Sequence, residues 1–459
     1  MATATAKRPM SEGLARNDSR MRGSPLLEPG NIEPENRSVD YGRYYDPGYF
    51  TLEVERLWRR QWLLAGREED LRAVGDRMPV DIGPLSFFIV KTGENDFKAF
   101  YNSCLHRGTL LCAKAESADS IRCPFHGWEW HNNGALKRIP GHWDYTDITR
   151  ANGSLREVQL ERWGGFLFIN ADPAARPLSD ALHIIPDHFR DFAPERRFTV
   201  AHVRKLVPAN WKIVQEAFME GYHAAVTHPE TIPFTSDGHT QYDVWSNGVG
   251  HVGRLWAASA LANTEAGPEI TPLYAAQAFL QSMCDWRYPN DDVPALDPDV
   301  DLRAEIAEWH RKTLERIHGR PFPLPDGLML DSVLYFMFPH CVFFLTEFLP
   351  LVFSFTPHPR DPSLSYFEIR MLQPWPENAS RSLKTPVVEM GVDDRLVDNK
   401  ELAFSFVGLI LDQDMNNMPL IQRGVRASDP ALRHSHLGAN QEMIIQYWNR
   451  LFDQCLARP

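Results

Sequence analysis

The chain has no run of about 18–20 unbroken apolar residues, the length a membrane span needs. It is poor in cysteine, with Cys104, Cys112, Cys123, Cys284, Cys341 and Cys455 the only six in 459 residues. So few in so long a chain are not a disulfide scaffold. Basic charge is not in excess, the formal net charge being −12. That balance argues against nucleic acid and anionic membrane as partners, since both need basic patches. No Gly-rich dinucleotide fingerprint follows a strand, so reducing equivalents from NAD(P)H have to arrive through a partner. Met1 to Lys7 is small and polar and no apolar segment follows, so no secretory signal is expected. The expectation is a cytoplasmic, reducing compartment, where paired Cys and His more often mean metal.

At 43% hydrophobic and 24% charged, the chain has a globular composition and room for two or three cores. Residues 1 to about 40 lack periodicity and read as an irregular arm. Leu52, Val54, Leu57, Trp58 and Trp62 recur near helical spacing, which predicts a helix over 50–64. Short strands follow at 80–82, 85–90 and 97–100, separated by Gly83-Pro84 and Gly93-Glu94-Asn95. Residues 164–169 read as the last strand of this group, with an exit turn at 170–173. Such a series suggests a small sandwich or barrel. Helices are expected at 211–222 and 300–318. Strands are expected within 333–357, broken at Pro339 and Pro350, and at 364–372. Long helices over 398–424 and 438–456 close the chain.

Two short motifs carry chemistry. Cys104-Leu105-His106 is followed, after sixteen intervening residues, by Cys123-Pro124-Phe125-His126. Each offers one thiolate and one imidazole. Thiolates suit ferric iron and bridging sulfide, and two imidazoles on one iron raise its potential. Gly108 and Gly127 free the backbone to wrap a cluster, and Pro124 stiffens its loop. Zinc is the competing metal, but zinc fingers group two Cys at one end and two His at the other. Incidental buried cysteines describe Cys112, Cys284, Cys341 and Cys455 well and these paired spacings poorly.

C104-L-H-R-G and C123-P-F-H-G-W resemble the Rieske motifs of ring-hydroxylating oxygenase large (alpha) subunits. The resemblance runs from about Tyr44 to the C-terminal helices. It implies a [2Fe–2S] cluster with Cys104 and Cys123 on one iron and His106 and His126 on the other.

The second constellation follows Asn210-Trp211-Lys212. Glu216, Glu220 and His223 stand at i, i+4 and i+7, sharing one face of a regular helix. His228, five beyond His223, lies about 140° further round, so both imidazoles meet one ion only if the helix bulges or ends between them. Pro229 supports an ending. Two His and one carboxylate form the facial triad of non-heme Fe(II) oxygenases. This segment resembles the catalytic-iron segment of the same family. The resemblance points to Asp414 as the late carboxylate, with Asp412 the alternative two residues away. It also implies that Glu220 bridges His126 of one subunit to His223 of the next, where many members carry aspartate. Ala217 stands where the family often has Asn. Glu216 is a further candidate catalytic residue.

The fold implied is α+β. An arm over 1–43 packs on the catalytic domain. A small antiparallel β Rieske domain covers 44–165, and a larger helix-grip, START-like catalytic domain covers 166–459. The activity implied is O2-dependent hydroxylation of an aromatic or other bulky apolar substrate. Oxidation of an N-methyl or quaternary ammonium compound is the alternative, and a Rieske electron carrier is the rival of another class. A flavin/iron–sulfur reductase, with or without a ferredoxin, and a homotrimer are the expected partners. Phe336, Phe338, Val342, Phe343, Phe344, Leu345 and Phe348 either line an apolar pocket or form sheet core.

Overall fold

The computed structural model describes residues 14, 18–35, 38–375, 385–400, 402 and 404–457. Of the expected arm, residues 1–13, 15–17, 36 and 37 lie outside the described residues. The rest runs in short turns along the larger domain. Its Ile32 N–H donates to the Val244 carbonyl at 3.1 Å. Arg254 Nη1 donates to the Leu26 carbonyl at 2.8 Å.

Helix α1 (Pro47–Glu53) continues through a wider turn to Trp58 and stops there, short of the expected 64. Leu63 and Leu64 instead open β1 (Leu63–Arg67), which pairs with residues 166–169. Cross-strand pairing outweighs the helical pattern at this point.

The next strands are β2 (Asp76–Ile82), β3 (Leu85–Lys91), β4 (Phe97–Tyr101) and β5 (Glu116–Ser117). They are followed by β6 (Ser120–Arg122), β7 (Glu129–His131), β8 (Leu136–Arg138), β9 (Glu157–Trp163) and β10 (Phe166–Asn170). Seven form one sheet in the order β1-β10-β9-β4-β3-β2-β5, and β6-β7-β8 form a smaller one. β10 lies beyond the boundary expected at 165, yet it pairs with β1 and β9, so the sheet runs on to Asn170. Between the sheets Phe88, Phe100, Ile121, Trp128 and Trp130 form a core of their own, which also takes in Cys104 and Cys123.

The larger sheet comprises β11 (Arg197–Val207), β12 (Thr235–Ser246), β13 (His251–Ser259), β14 (Ser332–Met337), β15 (Cys341–Phe344), β16 (Leu351–Pro357), β17 (Ser365–Pro374) and β18 (Val388–Met390). Its order is β12-β13-β14-β15-β16-β17-β11-β18, antiparallel except for the β11–β18 pair. Helices α2 (Trp211–Glu216), α3 (Ala224–Thr227), α4 (Pro272–Arg287), α5 (Leu302–His318), α6 (Ser405–Ala427) and α7 (Met443–Ala457) accompany it. The fold is α+β, a small β domain beside a larger, mostly antiparallel sheet accompanied by helices. α6 begins at Ser405 rather than 398, because the Asp412 carboxylate accepts from Leu396 N–H (2.9 Å) and Val397 N–H (3.0 Å) and holds that stretch as a turn. Among the described residues, no helix is long and apolar enough to cross a membrane.

Buried polar contacts join the two sheets. Leu64 N–H donates to His340 Nε2 at 3.1 Å, Arg67 Nη2 donates to the Arg197 carbonyl at 2.7 Å, and Arg370 pairs with Asp70 at 2.9 Å. Burial pushes His188, His310 and His340 down to about 3. The unfolded chain takes up these protons near the ordinary histidine value of about 6.5, so their contribution to stability is complete above that pH and is lost as pH falls toward 3. Denaturant midpoints should therefore fall as pH drops below about 6.5. His340→Gln should flatten the dependence by about one proton, about 1.4 kcal/mol per pH unit. Equal slopes for the two chains would refute this.

Candidate metal centres

The two Cys–His motifs fold as matching loops. Gly108 N–H donates to the Cys104 carbonyl at 2.9 Å, and Gly127 N–H to the Cys123 carbonyl at 3.1 Å. In return Cys104 N–H donates to Thr109, and Cys123 N–H to Trp128, at 2.9 and 2.8 Å. Both glycines have φ near +75°, a region other residues rarely adopt. The loops bring the thiols within reach of each other. His106 Nδ1 and His126 Nδ1 face one another at 3.1 Å. The His106 ring stacks on Trp128 at 5.3 Å, which fixes its direction. Burial raises the Cys104 thiol above its ordinary value. Burial also works to raise Cys123, but the His126 and Phe125 backbone N–H groups outweigh it and hold that thiol low. Two sulfurs on the buried side, two Nδ1 atoms on the exposed side and N–H groups aimed at sulfur fit a Rieske cluster.

The second site is built from a broken helix. Asn210 caps α2, its side chain accepting from Lys212 N–H at 3.0 Å. Buried Lys212 pairs with buried Glu53. The helix ends at Glu216, not at 222 as the pattern suggested. Phe218 turns into a ring cluster with Phe353, Phe355 and Phe367, and Tyr242 Oη accepts from Gly221 N–H at 3.0 Å. Glu216, Glu220 and His223 therefore do not share one helical face, although all three line one cleft of about 290 Å³ with Asp414. The short α3 separates the imidazoles, with His223 before its first residue and His228 after its last.

His223 Nε2, His228 Nε2 and Asp414 Oδ1 form a triangle with sides of 3.2, 3.3 and 3.0 Å. Donors about 2.1 Å from one ion and at right angles to each other lie about 3.0 Å apart, so the triangle fits three adjacent corners of an octahedron. A triad of this kind leaves the remaining corners for other ligands, and His223 and Asp414 line the cleft. Each imidazole is held from behind. His223 Nδ1 donates to Glu220 Oε1 at 2.6 Å, and His228 Nδ1 to Gln413 Oε1 at 2.8 Å. Among the protein groups alone, burial opposes protonation of His223, yet hydrogen bonds to Asp414 and Glu220 carry it up to about 10. Burial works to raise the Asp414 carboxyl, but His223 and His228 hold it below its ordinary value. Asp412 faces away, occupied by the backbone of Leu396 and Val397.

A family profile described as ring hydroxylating alpha subunit (catalytic domain) matches residues 188–457, and a Rieske [2Fe–2S] domain profile matches 61–148. The chain belongs to the Rieske ring-hydroxylating oxygenase alpha-subunit family. It is 30% identical over 190 residues to the glycine betaine monooxygenase oxygenase subunit of Chromohalobacter salexigens, covering 41% of this chain and 42% of that one. The carnitine monooxygenase oxygenase subunit of Escherichia coli is 28% identical over 239 residues, 48% of this chain and 63% of that one. The benzene 1,2-dioxygenase alpha subunit of Pseudomonas putida is 30% identical over 196 residues, 41% of this chain and 44% of that one. The matched segments thus span about half the length of these relatives. A solved quaternary ammonium Rieske monooxygenase superimposes with a TM-score of 0.63 at 17% identity, covering 93% of this chain and 96% of that one. Naphthalene 1,2-dioxygenase with bound indole gives 0.62 at 16% identity, covering 93% and 94%. At such identities the likeness is one of fold.

Sequence reasoning missed Gln413 behind His228, because an amide beside a carboxylate carries no local signal. It also missed the ties on Glu216, which accepts from Tyr44 Oη (2.8 Å) and Asn449 Nδ2 (3.0 Å). Burial raises this carboxyl above its ordinary value. Of the Phe336 to Phe348 set none lines the cleft, and all are buried as core. Removing acceptors behind metal-bound histidines costs roughly 10–100-fold in metal affinity. Gln413→Leu should therefore weaken iron retention by about that factor with the cluster's visible spectrum unchanged. Asp414→Asn should abolish the mononuclear iron in elemental analysis, and Asp412→Asn should keep it. The reverse pattern would exchange the two aspartates.

Proposed function

We propose that the chain is the terminal oxygenase of a multicomponent system, hydroxylating an aromatic or other bulky apolar substrate with O2 and electrons from NAD(P)H. The triangle of His223, His228 and Asp414, two of them lining the cleft, carries this reading. When bound, the cluster supplies single electrons and the mononuclear iron supplies a place to activate O2. The chain's own groups orient and insulate these centres. Glu220 and Gln413 fix each imidazole with Nε2 toward the metal. Glu216 acts as a positioning residue, tying Tyr44, just past the arm, and Asn449 of α7 to the end of α2.

In this reading Glu220 also receives His126 from a neighbouring copy. With Nδ1 turned inward, His126 presents Nε2 at an exposed tip. Beside it Phe125 is 58% exposed, and Trp143 of the same domain is 78% exposed. Beside the triad Tyr222 and Val226 are 70% and 86% exposed. Two different apolar patches, one at each metal site, suit a head-to-tail interface that closes a ring, and a homotrimer is the proposed ring. Exposed Arg107 and Arg122 at the tip complement Glu216, Glu220 and Glu442 in the cleft. A flavin/iron–sulfur reductase, directly or through a ferredoxin, is the proposed electron source, and the cytoplasm the proposed compartment.

Similarity to the glycine betaine and carnitine monooxygenase subunits favours a second reading, oxidation of an N-methyl or quaternary ammonium compound. A depletion screen with a surrogate reductase should separate the two substrate classes. In either case His223→Ala should remove product while keeping the cluster spectrum, whereas a pure electron carrier would be unaffected. Glu220→Gln should keep both metals and slow turnover on the order of 10–100-fold. Light scattering should give a trimer for the native chain and smaller species for Phe125→Asp. A fully active monomer would refute the ring.

A further inference from the structure

Both ring nitrogens of His228 are held by consecutive residues of α6. Asp414 Oδ1 lies 3.0 Å from Nε2, and Gln413 Oε1 lies 2.8 Å from Nδ1. A carboxylate can offer only oxygen, so the Asp414 contact has one form. The Gln413 contact has two, because a side-chain amide turned over presents NH2 where its oxygen was. His228 Nε2 can offer a lone pair to a metal only if the ring proton sits on Nδ1, where it must find an acceptor. An inverted amide would set donor against donor, or would favour the proton on Nε2, where it excludes a metal.

The far end of the amide selects one form. Gln413 Nε2 lies 3.1 Å from each carboxylate oxygen of Glu230. A carboxylate accepts and an amide oxygen cannot donate, so the group that faces Glu230 is the NH2. The order of groups from the surface inward is then carboxylate, NH2, amide oxygen, Nδ1–H and the Nε2 lone pair. Each member fixes the direction of the next.

Local structure holds Glu230 in place for this. It sits two residues past His228 in a single tight turn, Pro229–Thr231. Thr231 closes the turn, its N–H and its Oγ1 both donating to the His228 carbonyl, at 2.9 and 2.8 Å. On the other side of His228, Asn417 Nδ2 donates to Thr227 Oγ1 at 3.3 Å. Gln413 and Asn417 stand four apart on α6 and so share a face, and the segment 227–230 is stitched to that face at both places. Glu230 itself is exposed, whereas His228 is buried. A hydrogen bond at the surface adds little to the stability of the fold, so the consequence of this one lies in orientation.

We infer that Glu230 is a positioning residue of the mononuclear metal site: by accepting from the Gln413 amide it fixes the direction of that amide and keeps His228 in the tautomer that can bind metal. The two imidazoles are thereby aligned in different ways. His223 meets its glutamate directly, Glu220 at 2.6 Å. His228 meets one through a neutral amide, which passes on alignment without placing a full charge behind the ring. The inference rests on the mononuclear-iron reading of this site and adds a residue that neither imidazole touches.

The test measures how fast the iron-loaded protein, kept anaerobic, releases ferrous iron to an excess of ferrozine. The cluster's visible spectrum and the melting temperature serve as controls, and both should match the native chain in every Glu230 variant. Glu230→Ala removes the acceptor and should speed release by about three- to tenfold, less than the loss of the amide itself. Glu230→Gln keeps an acceptor oxygen without the charge and should stay within about twofold of native. Glu230→Lys presents a donor, which favours the inverted amide, and should release iron faster than Glu230→Ala. In the Gln413→Leu background no amide is left to turn, so the same three changes should make no further difference. Equal release from the native chain and Glu230→Ala would overturn the inference. So would an effect of the same size in the Gln413→Leu background, which would mark long-range charge or a loosened turn. Fast release from Glu230→Gln would overturn it as well, because the charge and not the acceptor would then be what matters. A native chain that holds no mononuclear iron would instead overturn the reading of the site, and this inference with it.

Discussion

Three donor atoms held about 3 Å apart, two of them on residues that line a cleft, set the terms for the larger domain. Two come from a segment that must turn twice between residues 216 and 228. The third comes from α6, nearly two hundred residues later. A continuous helix would send His223 and His228 in different directions. The break after Glu216, the short α3 and the ring cluster that takes Phe218 let both Nε2 atoms meet. Asn210 N–H, donating to Gln422 Oε1 at 2.7 Å, joins the start of the broken helix to the helix that carries Asp414. Stability and site geometry depend on the same contacts.

The smaller domain solves a different problem. Its cluster loops are local, each closed by a glycine with positive φ and two backbone hydrogen bonds. They therefore need little from the rest of the chain. They leave His126 at the surface, where a neighbour can reach it. The joint between domains is polar and buried, with Arg67, Asp70, His340 and Arg370 engaged across it. Two folds that each hold a metal are thereby fixed to one another, and the cooperation proposed between metals passes to the next copy.

Legibility in the sequence followed the range of the interactions. Cys104, His106, Cys123 and His126 could be read because each half of the site lies within four residues. The strands 80–82, 85–90 and 97–100 could be read because turn residues mark their ends. The pattern over 211–222 extends the helix too far because the partners that draw Phe218 away, Phe353, Phe355 and Phe367, are far along the chain. Residues 50–64 read as one helix because Leu63 is as apolar as Leu57, and only its partner in β10 distinguishes them. Asp414 entered through family resemblance, since no local pattern separates it from Asp412.

The central claim is that the cluster of one copy serves the iron of the next, and mixed assemblies test it most directly. A Cys123→Ala chain, lacking the cluster, is co-assembled with a His223→Ala chain, lacking the iron. Native mass spectrometry verifies that both chains are present in one particle. Product from the mixture under O2 and reductase, with none from either chain alone, is the predicted result. No product from verified mixed particles would contradict the account.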